Sequence, residues 1–138
     1  MIAHCEWKGN GYFDGQSMSG QTVHFDTSEG QTGGPTPMEV VLMGLCGCTS
    51  VDVVSILQKK RQPLTGLRVS AHADRAPEPP RVFTHIHLTY TVSGEVSHKA
   101  VEDAVRLSNE TYCSVSKMLE KAAEIDYEIV YNDAEKES

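Results

Sequence analysis

The run from Met38 to about Lys60 limits what this chain can become. Val40, Val41, Leu42, Met43, Leu45, Cys46, Val51, Val53, Val54, Ile56 and Leu57 fall on nearly every face of the helix that the run predicts. Thr36-Pro37-x-Glu39 supplies its start, with a threonine N-cap, proline at the first helical position and an acid in the first turn. A helix that is apolar all round needs cover on most of its sides. One mixed sheet from a chain of 138 residues covers only part of it, so the pattern predicts a partner subunit. Glu39, Asp52 and several small polar residues within the run argue for the buried helix of a soluble protein and against a membrane span.

Shorter elements surround it. Alternation predicts strands over Ala3 to Lys8, Tyr12 to Gln16 and Thr22 to Asp26, with a hairpin turn at Gly9-Asn10-Gly11 and a Gly-, Ser-, Thr- and Pro-rich loop over Ser28 to Pro37. After Arg61-Gln62-Pro63 stops the helix, strands are expected over Leu64 to Asp74 and Val82 to Val92, paired antiparallel across a stiff proline-rich connector. Val82, Thr84, Ile86, Leu88, Tyr90 and Val92 share one face of the second of these, with Phe83, His85, His87, Thr89 and Thr91 opposite. Helices follow from Ser97 to Asn109 and from Ser114 to Glu124. A last strand covers Tyr127 to Tyr131, and an acidic tail, Asn132 to Ser138, is expected to fray. The order βββ-α-ββ-αα-β is that of a single α+β domain over 1–138.

The formal net charge of −7 disfavours phosphate backbones and anionic lipid, so neither nucleic acid nor a membrane surface is an expected partner. The one basic run, Lys59-Lys60-Arg61, sits where a helix C-terminus welcomes cations. The first residues hold no apolar signal core, which points to the cytoplasm and to reduced thiols at Cys5, Cys46, Cys48 and Cys113. Cys46 and Cys48 project about 200° apart on a helix, so at most one of them belongs to a given site. Cys113 precedes a helix, where unpaired N–H groups favour a thiolate. Its alternative reading is a small apolar cap residue.

Pro37-Met38-Glu39 followed by Cys48 in an apolar helix, together with Cys113-Ser114-Val115-Ser116-Lys117-Met118-Leu119, resembles the OsmC/Ohr family of thiol-dependent hydroperoxide reductases. The segments Glu39-Val40-Val41-Leu42-Met43, Asp52 to Lys59 and Arg81 to Ile86 resemble its YhfA-like branch. The resemblance implies an intertwined homodimer, with two long helices back to back and flanking sheets. It implies a peroxidase in which Cys48 is oxidised to a sulfenic acid, Cys113 resolves it to a disulfide, and an external dithiol, a lipoyl group among the candidates, reduces that bond. No metal, haem or flavin is implied. It also implies a site role for Glu39. Because Glu39 and Cys48 lie about 13 Å and 2.5 turns apart on one helix, that role requires the antiparallel helix of a second subunit. The other reading of Glu39 is a first-turn acid that complements the helix dipole.

The chain departs from the family pattern in places. Family peroxidases set an N-terminal-loop arginine beside the thiolate, yet no arginine precedes Arg61 here, leaving Lys8 and Arg81 as substitutes. Asp52, four residues after Cys48, opposes thiolate formation unless it is paired, and Ser55 continues the same polar stripe. These departures favour the alternative of a small-molecule-binding dimer of the same fold with weak or no peroxidase turnover. Cys5 reads as buried packing. His85 and His87, with His72 on the neighbouring strand, have metal-chelating spacing but read more simply as exposed strand residues. Ser114-x-x-Lys117 mimics a serine–lysine hydrolase pair and is better explained by the cysteine motif around it.

Overall fold

The computed structural model describes residues 1–30 and 33–132. The expected acidic tail from residue 133 onward and two residues of the Ser28 to Pro37 loop lie outside these. Within it the chain divides into two compact units, Met1–Met43 and Gly44–Ser138, with the boundary inside the long helix.

In the first unit β1 (Ala3–Gly9), β2 (Tyr12–Ser17) and β3 (Thr22–Asp26) form an antiparallel sheet in that order. Gly9 and Asn10 take positive φ at the expected turn, which only glycine and a few polar residues do cheaply. Asp26 is buried at the end of β3, and its carboxylate accepts the N–H groups of Ser28 and Gly33, each at 2.9 Å. Gly34 lies so close to β3 that a Cβ would sit 2.1 Å from the His24 carbonyl oxygen. Cys5 is exposed within this unit and not buried as the strand pattern suggested.

The long helix α1 (Pro37–Lys59) begins as its sequence predicts. The Thr36 N–H donates to Glu39 Oε1 at 2.9 Å and the Glu39 N–H donates to Thr36 Oγ1 at 3.3 Å, a reciprocal capping box. From Gly44 onward it belongs to the second unit, where Leu45, Thr49, Val53 and Leu57 are fully buried. These four recur every fourth residue and make a single stripe. The helix is long and apolar enough to span a bilayer, with a mean hydropathy of 2.1 in its most apolar window. Its buried stripe and the side-chain hydrogen bonds of Thr49 pack one side of it into the second unit. Other apolar residues of α1 stand open among the described residues. Met43 is 55% exposed and Val51 70%.

The second unit's sheet has the order β4 (Gly66–Arg75), β5 (Phe83–Ser93), β6 (Glu124–Tyr131). β4 pairs with β5 antiparallel, as expected, and β6 pairs with β5 in parallel. As the central strand, β5 buries Ile86, Leu88, Tyr90 and Val92 on the predicted face. Phe83 departs from the expectation and is buried while Val82 and Thr84 are exposed. A bulge between Asp74 and Arg75 pairs Arg75 with Phe83 and skips Thr84, which inverts the alternation at that end.

Ser97 caps α2 (His98–Leu107), which buries Ala100, Val101, Ala104 and Val105. The helix does not continue as α to Asn109. Ser108–Tyr112 forms a π-helical turn, and α3 (Ser114–Leu119) stops well short of Glu124. Residues 120–123 form a turn, and from Glu124 onward the chain joins the ladder beside His85 onward.

The outer face of this sheet carries a ladder of charges. Asp126 bridges His85 Nε2 at 2.7 Å and His87 Nδ1 at 2.5 Å, while Asp74 lies 3.7 Å from His85 Nδ1 and Glu128 lies 3.2 Å from His87 Nε2. His87 thus hydrogen-bonds a carboxylate at both ring nitrogens, an arrangement satisfied only by the doubly protonated ring, while His85 hydrogen-bonds Asp126 alone and has Asp74 at ion-pair distance. Hydrogen bonds to Asp126 raise both histidines above 6.5 and the same contacts lower Asp126 below 3.8. A raised histidine stabilises the fold below 6.5 and loses that effect as pH rises through its folded value. A lowered aspartate stabilises above 3.8 and loses its effect as pH falls through its folded value. Stabilisation is therefore greatest between these limits. Melting temperature should fall from pH 6 to pH 9 by more in the parent than in Asp126→Asn, and equal falls in both would contradict the assignment.

Candidate active site

Two cysteines come together in the second unit. Cys48 is half-buried on α1 and Cys113 is completely buried at the N-cap of α3. They are near enough that the Cys48 side chain raises the pKa of the Cys113 thiol. The π-helical turn delivers Cys113 to this place, since the Cys113 N–H reaches back to the Ser108 carbonyl at 2.8 Å. Cys46, on another face of α1, is held as a thiol by partial burial that raises its pKa.

Burial pushes the Cys113 thiol up to about 11. The Ser116 N–H points at its sulfur at 3.4 Å and works in the opposite direction, while the Cys48 sulfur and the Asp52 carboxylate raise it further. This corrects the expectation that a helix N-terminus would favour the thiolate. The helical N–H is present, but α3 is only six residues long and desolvation outweighs it.

Asp52 is paired, as its position demanded. It accepts the Ser108 hydroxyl proton at 2.9 Å, and Ser108 Oγ lies 2.7 Å from Thr49 Oγ1. Thr49 Oγ1 also lies 2.7 Å from the Tyr90 hydroxyl, which accepts from Asn109 Nδ2 at 3.0 Å. Burial raises the Tyr90 phenol while Thr49 and Asn109 oppose that rise. Sequence reasoning missed Thr49, Tyr90, Ser108 and Asn109. The available signal was a hydroxyl on the buried stripe of α1 and another on the buried face of β5. A cavity of about 440 Å³ opens beside the chain, lined by Asp52, Ser55, Ile56, Lys60, Leu107 and Tyr112 among others.

The remaining candidates lie elsewhere. Glu39 belongs to the first unit and serves the capping box of α1. Lys8, also in the first unit, lies 3.6 Å from Glu6. Arg81 donates its Nε–H to the Ala76 carbonyl at 3.4 Å, bracing the proline-rich connector. His72 pairs in register with His87, but among the described residues no group of three or more His, Cys, Asp or Glu side chains is arranged to hold a metal. Lys117 Nζ turns to Glu120 at 3.3 Å.

A family model for OsmC-like proteins matches residues 29–128. Protein YhfA of Escherichia coli K12 is 46% identical over 133 residues, covering 94% of this chain and 98% of that protein. Among solved structures, an OsmC-like protein from Mycoplasma pneumoniae superposes with a TM-score of 0.83 at 13% identity, over 94% of this chain and 95% of the other. The organic hydroperoxide resistance protein OhrB of Bacillus subtilis gives 0.69 at 14% identity, over 94% and 98%. At such low identities these two show a shared fold.

The hydroxyl chain makes one substitution informative. Thr49→Val keeps the side chain's shape but leaves the Tyr90 proton without an acceptor and Ser108 without a donor. It should cost about 1–3 kcal/mol in urea unfolding, whereas Ser50→Ala, which removes only a bond to its own helix, should cost well under that.

Proposed function

The chain belongs to the OsmC-like protein family, and on that premise we propose that it is a two-cysteine thiol peroxidase acting on organic hydroperoxides or hydrogen peroxide in the cytoplasm. The observation that carries this reading is that the two motif cysteines meet in the second unit, Cys48 near enough to raise the Cys113 thiol. Cys48, as thiolate, attacks one oxygen of the peroxide. The O–O bond breaks, the sulfur is oxidised to a sulfenic acid, and the other oxygen leaves as alcohol or water. Cys113 then attacks the sulfenic sulfur and releases water as the disulfide forms. An external dithiol, for which a lipoyl group is suited, returns the pair to thiols. The scheme uses no metal, haem or flavin. The name of the B. subtilis relative, organic hydroperoxide resistance protein, agrees with this substrate class.

The working form is a homodimer. Val41, Met43 and Val51 are exposed on α1, and Gly44 and Gly47 have open space where a Cβ would point, so a second copy of this apolar helix fits the uncovered face. The helical offset that separates Glu39 from Cys48 assigns any site role of Glu39 to the pocket of the other copy.

A second reading is a ligand-binding dimer with little turnover. It is favoured by the Asp52 carboxylate acting on the cysteine pair and by the cavity beside it.

Titration of reduced protein with cumene hydroperoxide should consume two thiols per peroxide within seconds. Cys113→Ser should stop at a sulfenic acid on Cys48, and Cys48→Ser should not react on that timescale. No thiol loss in the parent after an hour would leave the binding reading. Mixed dimers of Cys48→Ser and Glu39→Gln chains should recover part of the activity that each variant lacks alone, and no recovery would place a complete site in each chain.

A further inference from the structure

One stripe of α1 in the second unit carries polar groups that the protein does not use. Asp52, Ser55, Ile56 and Lys59 share a face of the helix, with Asp52 and Lys59 about 10 Å apart along its axis. Together with Leu107 and Tyr112 they line the cavity of about 440 Å³. The hydrogen bonds behind Asp52 have a fixed direction. Asn109 Nδ2 gives one hydrogen to the Val105 carbonyl at 2.9 Å and the other to the Tyr90 oxygen at 3.0 Å. The Tyr90 proton therefore goes to Thr49 Oγ1, the Thr49 proton to Ser108 Oγ and the Ser108 proton to Asp52 Oδ2, at 2.7, 2.7 and 2.9 Å. Oδ2 is thus engaged by the protein. Among the described residues, Asp52 Oδ1, Ser55 Oγ and Lys59 Nζ have no hydrogen-bond or ion-pair partner. Ser50 shows the ordinary use of a helix serine, a bond back to the Cys46 carbonyl at 2.6 Å, and Ser55 makes no such bond.

The lysine end has positive charge to spare. Lys60, which also lines the cavity, lies 3.7 Å from Asp103, but Asp103 serves Lys99 at 3.5 Å and Arg106 at 3.3 Å as well. One carboxylate shared by three cations leaves an excess, and Lys59 adds to it. An apolar ligand would cover Asp52 and Lys59 without replacing their water, and a singly charged one would satisfy only one of them. We propose that the cavity is a binding site for a small zwitterion whose charges are separated by an apolar stem, an ω-amino acid or a short peptide: its ammonium meets Asp52 Oδ1 and Ser55 Oγ, its carboxylate meets Lys59, and its stem lies against Ile56 and Leu107. The site gives the ligand-binding reading its ligand class and rests on that reading. Neither cysteine is among the residues that line it.

The test titrates the reduced full chain with 6-aminohexanoate at low salt and follows backbone amide shifts by NMR, with hexylamine and hexanoate as singly charged comparisons. The zwitterion should give saturable shifts at Ser55, Leu107 and Tyr112, and each comparison compound should bind about tenfold more weakly. Asp52→Asn, which still accepts the Ser108 proton, and Lys59→Gln should each weaken zwitterion binding about tenfold. Lys59 is exposed, so its variant decides the matter even where Asp52→Asn does not fold. Absence of saturable shifts, shifts confined to other residues, or unchanged binding by Lys59→Gln overturns the site. Hexylamine or hexanoate binding as tightly as the zwitterion at these residues overturns the ligand class while the ligand-binding reading stands. No peroxide is present, so the result is independent of whether the cysteines turn over.

Discussion

The Thr49 hydroxyl stands 2.7 Å from both Tyr90 and Ser108, and the second unit is organised around that junction. All three side chains are fully buried, so each oxygen must be satisfied within the protein. Breaking one link strands a donor or an acceptor without water to replace it, and the cost falls on α1, β5 and the π-helical turn together. Apolar contacts along Leu45, Val53 and Leu57 supply most of the burial on this helix, but they tolerate sliding and rotation. The hydroxyls do not. They fix the rotation of α1 about its own axis and thereby the direction in which Cys48 points.

The environment of Cys113 follows from competing effects of unequal size. A short helix aims an N–H at the sulfur, yet complete burial and a nearby carboxylate favour the thiol. Position in the sequence announces the first effect plainly. The second depends on what closes over the residue, which involves α1 and β5, many residues away.

The same division runs through the rest of the chain. Period-two and period-3.6 patterns anticipated the strands and α-helices among the described residues, and in β5 and α2 those periods follow which side of the element is wet. The capping box at Thr36 and Glu39 was equally legible, being local chemistry over four residues. The bulge that turns Phe83 inward was not, since it is a property of β4 and β5 as a pair. Nor was the π-helical turn, whose composition, Ser-Asn-Glu-Thr-Tyr, resembles an ordinary helix end. The cysteine pair was reached through its two motifs. The hydroxyl chain was not, because Thr49 and Tyr90, 41 positions apart in sequence, look unremarkable alone and acquire meaning only once the fold brings them together.

The wide turn over Ser108–Tyr112 also works as a phase setter. Each residue advances an α-helix by about 100°, so the number of residues between α2 and Cys113 decides which way the thiol faces when α3 begins. Shortening that stretch by one would relax it to ordinary helix and swing the sulfur away from α1, although neither cysteine had been touched. Chain length between α2 and α3 is thus as much a part of how the two cysteines meet as the sulfurs themselves.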